Sequence, residues 1–232
     1  MIICFEGIDG TGKSSLAKMT YNYFISKNVY TELVEWNSND YINNLFEYIN
    51  NENIYNINQN VSLLIGNLLG NIEQYINVSK KGVLILDRYV YTMLSRDVVR
   101  GANEKYLKKV KELIPNPDII IWCDASNQTI YERLLIKNNY KINFWETGLE
   151  IGYEEKIKTR INEYYNEEFD ISYVRKKTSD FMDKVRFKYE ESFENINTIK
   201  IDTDVHNKTE SFNFLIKEVM EIYDISNNSF KL

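Results

Sequence analysis

Histidine occurs once and cysteine twice in this chain of 232 residues, and those scarcities exclude chemistry before any motif is read. His206 stands alone in a polar turn and is expected to be solvated. There is no Cys/His cluster for a structural metal and no obvious imidazole base. Cys4 and Cys123 fall in apolar strand candidates, which predicts small buried side chains in a reducing compartment, without a disulfide. No apolar run approaches the roughly 18 residues that a membrane-spanning helix needs. The first residues run directly into a strand and a loop, leaving no room for a secretory leader, so a cytoplasmic location is expected. A formal net charge of −6 gives the overall field no attraction for nucleic acid or an anionic membrane. Any anion site must therefore gather its positive charge locally. Proline is confined to Pro115 and Pro117, internal repeats are absent, and the length fits one domain over 1–232 with a well-buried core.

What the chain does have is an anion-binding loop. Gly7-Ile8-Asp9-Gly10-Thr11-Gly12-Lys13-Ser14 fits the phosphate-loop pattern Gly-x-x-x-x-Gly-Lys-Ser/Thr without mismatch, and Ser15 follows it. The loop trails the apolar run Ile2-Ile3-Cys4-Phe5 and opens an amphipathic run over 15–24, which is the strand–loop–helix setting the motif requires. In that setting backbone amides converge on phosphate oxygens and the helix adds the positive end of its dipole. Lys13 is expected to reach the β- and γ-phosphates of ATP, and Ser14 to offer its hydroxyl to Mg²⁺. A glycine-rich turn with a solvated lysine is the plain alternative, and both spacing and position speak against it.

Further strands are predicted over 30–35, 83–87, 118–123 and 198–201, separated by helical stretches. This alternation gives an α/β fold with a five-stranded parallel sheet flanked by helices. Ligands of such sheets collect beyond the carboxyl ends of the strands. The third strand ends in Asp87-Arg88-Tyr89, which puts Asp87 where a magnesium-holding acid is expected and Arg88 beside it. If the next segment is helical, Thr92, Arg96 and Arg100 share a face. Arg88, Arg96 and Arg100 would then line one side of the cleft, where a planar guanidinium suits phosphate. The apolar run from Val61 to Ile76 reads as a core face, and Gly66 and Gly70 permit close approach of another helix, within the domain or across a homodimer. The asparagine-rich stretch 50–60 reads as surface. The segment 137–152 reads as a closing lid and 153–193 as two charged helices broken near 170–178. A last helix over 208–223 is expected, with 226–232 frayed.

The phosphate loop together with Asp87-Arg88-Tyr89-Val90-Tyr91-Thr92, Ser95-Arg96-Asp97-Val98-Val99-Arg100-Gly101 and Phe144-Trp145-Glu146-Thr147-Gly148 resembles the thymidylate kinase family, in a divergent branch. The resemblance implies a P-loop kinase fold with a lid and a helical addition, using ATP and Mg²⁺ to phosphorylate a deoxynucleoside monophosphate, most simply dTMP. It implies Asp9 at the acceptor sugar, Arg88 at its phosphate, Tyr89 near sugar or base, and Arg133 beside the donor. Lys137 or Lys141 would be the lid cation, and the turn after Ile201 would face adenine. Two departures stand out. Glu35-Trp36-Asn37-Ser38 replaces the arginine-bearing segment after the second strand, and Leu68 and Leu69 occupy the region where the family carries a base-contacting arginine. A kinase for another pyrimidine or modified deoxynucleotide, a deoxynucleoside kinase using Glu6 or Asp9 as base, and a nucleotide-binding regulatory module are the competing readings.

Overall fold

The computed structural model describes residues 1–36, 40–51, 56–137 and 171–229. Lys141, most of the lid and residues 153–170 lie outside them. Five parallel strands form one sheet in the order β2-β3-β1-β4-β5: β1 (Ile2–Glu6), β2 (Thr31–Glu35), β3 (Val83–Asp87), β4 (Ile119–Asp124) and β5 (Thr198–Asp202). All of β1, β3 and β4 is buried, which two-sided helical cover demands and their unbroken apolar runs supply. Side chains alternate across the sheet. Ile3, Phe5, Ile85, Ile119 and Ile121 face α1 (Lys13–Ser26) and α9 (Lys208–Ser229), while Cys4, Leu84, Leu86, Ile120 and Trp122 face the remaining core. Cys4 and Cys123 are buried and free.

The chain leaves β1 for β2, returns through β3, and crosses beyond β1 to β4. Strand order thus reverses at β1, and the crevice beyond its carboxyl end opens where the phosphate loop begins. Strand ends differ from the expected ones by a single residue.

The helices depart from expectation in several places. The run from Val61 to Ile76 is not one core face: α3 (Ile57–Gly70) ends and α4 (Ile72–Lys81) begins at Asn71, leaving Leu69 41% and Ile76 36% exposed. Asn71 favours this break because its side chain turns back to the Asn67 carbonyl, 3.0 Å away. Asn60 and Asn67, expected at the surface or unremarked, are buried on α3. A methyl group on Gly66 or Gly70 would meet nothing within 4 Å, so within the described residues no helix approaches them. From 171 to 178, where a break is expected, α8 (Ile171–Ser192) is continuous, with Thr178, Met182, Val185 and Tyr189 buried along one stripe; residue 170 lies outside the described residues. The closing helix α9 continues past 223 to Ser229. After α5 (Val90–Thr92) the helix widens into a π-turn, Met93–Asp97. Between these lie α2 (Asp40–Asn51), α6 (Glu104–Glu112) and α7 (Asn127–Lys137).

Candidate active site

Gly7 holds φ at 145° and a Cβ there would collide with the Cys123 carbonyl oxygen. Only glycine lets the loop leave β1 across the end of β4. Gly12, at φ 85°, begins α1 with no side-chain cap, no acid follows in the first turn, and nothing lies within 4 Å of its Cβ position. The first amides of α1 are therefore left to an anion.

Lys13 is buried, with Nζ 3.2 Å from Asp9 Oδ1 and 3.4 Å from the Ile8 carbonyl. Burial pulls its ammonium below the usual lysine range, and the Arg88 charge adds to that pull against Asp9. Asp9 is the hub of the cations. Arg88 Nη2 bonds its Oδ1, Arg96 Nη1 stands 4.0 Å from Oδ2, and the charge of Lys137, the last residue of α7, also reaches it. Burial disfavours the ionised carboxylate, yet these four cations together hold it well below the usual range. Arg88 has φ 75°, a left-handed backbone uncommon outside glycine and asparagine. Its amide donates to the Phe5 carbonyl at 2.9 Å, and Nη1 donates to Thr92 Oγ1 at 3.1 Å.

Beneath Arg88 lies Glu6, which the sequence offers only as the base of a competing nucleoside kinase. Glu6 is fully buried. Its Oε1 accepts from the Tyr89 and Thr92 amides at 2.7 and 3.2 Å, and its Oε2 from Thr92 Oγ1 at 2.6 Å and the Tyr189 hydroxyl at 3.2 Å. Thr92 thus accepts from Arg88 while donating to Glu6, and Tyr189 of α8 joins the same network. Burial raises the Glu6 carboxyl to about 7, against the opposing pull of Thr92, Arg88, Tyr89 and Tyr189. A folded-state value above the unfolded one means that the native protein holds the extra proton between about pH 4.5 and 7, so stability falls as pH rises through that window. We expect Glu6→Gln to abolish this dependence. The stability difference between wild type and the variant, from denaturant melts at pH 5 and pH 8, should change by about 3 kcal/mol against the wild type at high pH; a pH-independent difference would refute the assignment.

Asp87 ends β3, buried, with Oδ1 unpartnered among the described residues, and Ser14 is exposed at the start of α1. No group of three His, Cys, Asp or Glu forms among the described residues. One carboxylate, one hydroxyl and phosphate oxygens suit Mg²⁺, which keeps several waters and needs no protein cage.

Two hollows flank the loop. On the β5 side Arg133 donates to the Gly10 carbonyl at 3.2 Å, to Thr203 Oγ1 at 2.8 Å and to the Thr203 carbonyl at 2.9 Å. It walls a hollow of about 430 Å³ with Gly12, Ser15, Asp204 and His206. His206 is half exposed there, 4.0 Å from Glu210. On the β3 side a second hollow of about 10 Å³ is lined by Trp36, Leu64, Asn67, Leu68, Tyr75, Arg88, Tyr89 and Met93. Tyr89 is buried and its hydroxyl donates to the Pro115 carbonyl at 3.0 Å. Arg96 joins Arg88 at Asp9, whereas Arg100 stacks over Phe181, 4.7 Å from the ring centre. The π-turn Met93–Asp97 lies between Thr92 and Arg100, so the regular four-residue spacing of Thr92, Arg96 and Arg100 is not kept. Asp124, which the sequence offers as a turn or cap residue, binds the Ala125 amide and also pairs with Arg186 and Lys200.

A phosphate loop at the reversal point of a parallel sheet, with a hollow of about 430 Å³ on one side and Arg88 and Arg96 on the other, is the arrangement of a P-loop nucleoside monophosphate kinase. The thymidylate kinase family model matches residues 5–186, and the chain belongs to that family. It is similar to Probable thymidylate kinase 2 of Saccharolobus solfataricus, at 32% identity covering 72% of this chain and 81% of that one. The thymidylate kinase of Brachyspira hyodysenteriae is 26% identical, covering 77% and 89%. In fold, the crystal structure of thymidylate kinase from Ehrlichia chaffeensis superposes with a TM-score of 0.57 at 16% identity, covering 96% of this chain and 98% of that one.

Proposed function

We propose that this chain transfers the γ-phosphoryl group of Mg-ATP to dTMP, giving dTDP, in a cytoplasmic setting that its two buried, free thiols suit. The observation that carries this reading is the pair of arginines, Arg88 and Arg96, gathered on Asp9 across from Lys13. An incoming phosphate takes over from Asp9 as the partner of those guanidiniums, and the triphosphate takes Lys13 in the same way. Transfer proceeds through a loose transition state in which positioning and charge stabilisation supply most of the rate. Asp87 and Ser14 would hold Mg²⁺, which when bound neutralises charge between the β- and γ-phosphates. Arg133 borders the donor, and Lys137, with Lys141 beyond it, supplies the closing cation. The acceptor phosphate is largely dianionic at neutral pH and attacks without a general base.

That last point separates dTMP from an unphosphorylated acceptor. A nucleoside kinase needs a carboxylate to take the hydroxyl proton, yet Asp9 is held anionic among cations and Glu6 is sealed beneath Thr92 and Tyr189. Neither is placed for that work. ADP release should therefore be measured with Mg-ATP across nucleosides and nucleoside monophosphates. The expected order puts dTMP first and thymidine at background; faster release with thymidine, or release independent of acceptor, would overturn the proposal.

A further inference from the structure

Trp36 occupies the position where the sequence departs from its family, and its surroundings give it a task. It follows β2, and its backbone is fixed at both ends: its amide donates to the Asp87 carbonyl at 3.2 Å, and its carbonyl accepts from Asn67 Nδ2 at 2.6 Å. The first bond ties it to the residue before Arg88 and the second to α3. The indole is half-buried, with its ring centre 5.9 Å from Arg88 Cζ and 5.2 Å from Arg96 Cζ. Both guanidiniums that face the acceptor phosphate therefore lie against one aromatic ring, which attracts a cation through its quadrupole and orients a planar one by stacking.

The same indole walls the hollow on the β3 side, whose free volume of about 10 Å³ is too small for a nucleobase. Leu64, Leu68, Tyr75 and Met93 among the other walls are helix residues, and Tyr89 lies between β3 and α5. Trp36 stands in a turn with a pinned backbone, so its side chain is the wall that can turn while the sheet hydrogen bonds stay in place. Leu64 and Leu68 offer the base no charged partner, and among the aromatic walls Trp36 is the one whose ring lies against both arginines.

We infer that Trp36 is an acceptor-positioning residue: its indole holds Arg88 and Arg96 in the empty site, and becomes a stacking platform for the base once the acceptor phosphate engages those arginines. The inference rests on the dTMP reading above. A base stacked on an aromatic side chain contributes enough that its loss should raise KM for dTMP about tenfold.

The test combines kinetics and emission for wild type, Trp36→Phe and Trp36→Leu. At saturating Mg-ATP, Trp36→Leu should raise KM for dTMP about tenfold with kcat within about threefold, and Trp36→Phe should restore most of the affinity. Titrating dTMP without ATP should change wild-type tryptophan emission, and that change should vanish in Trp36→Phe. An unchanged KM in Trp36→Leu, equal losses in both variants, or a dTMP-dependent signal persisting in Trp36→Phe overturns the inference while leaving the function standing. A wild-type protein with no dTMP turnover overturns the functional reading and this inference with it.

Discussion

Lys13→Ala should lower kcat for phosphoryl transfer by about 10³-fold or more while the far-UV circular dichroism stays that of the wild type. Removing a cation aimed at charge that develops between the β- and γ-phosphates costs the transition state more than the bound ground state, so the loss falls on kcat. The fold should survive because Asp9 keeps Arg88 and Arg96 as partners when the ammonium is gone. Burying that ammonium is itself unfavourable, as its lowered pKa records. Single-turnover rates at saturating ATP and dTMP measure the effect, and a kcat within tenfold of wild type would remove Lys13 from the catalytic assignment.

Arg88→Met should reduce kcat/KM for dTMP by about 10²- to 10³-fold, because in the proposed function the side chain receives the acceptor phosphate, and it also bonds Asp9 and Thr92. Binding of a non-hydrolysable ATP analogue should remain within about threefold of wild type, since Arg133 and the phosphate loop face the other hollow. That split distinguishes loss of the acceptor from general damage. Isothermal titration with the analogue, beside steady-state kinetics with dTMP, reads both halves. Equal losses on the two sides would mean that Arg88 supports the loop as a whole.

The parts of this protein that announce themselves in sequence are those whose chemistry is local. Strands of four to six apolar residues, the glycines and lysine of the phosphate loop, and Asp87-Arg88 at a strand end are each specified by neighbours in the chain, and each is where the spacing puts it. The parts that do not are made by distant residues. Tyr189 meets Glu6 across 183 positions and Arg133 meets Thr203 across 70, and no periodicity marks either pair. Glu6 did leave a trace, as a charged residue closing a strand otherwise buried on both faces. The break at Asn71 and the burial of Asn60 and Asn67 were hidden because leucines and isoleucines on both sides keep helical spacing through the bend. The π-turn after Thr92 has no compositional signature at all, and it carries Arg96, which reaches Asp9, while Arg100 one turn beyond lies over Phe181.

The left-handed backbone at Arg88 sets two energies against each other. A residue with a long side chain accepts that conformation at a penalty of about 1 kcal/mol or more, whereas glycine or asparagine would adopt it readily. The Asp9 carboxylate, the Thr92 hydroxyl and the Gly7 carbonyl oppose that penalty by gripping the guanidinium, so a glycine here would relax the main chain while stranding a partly buried anion.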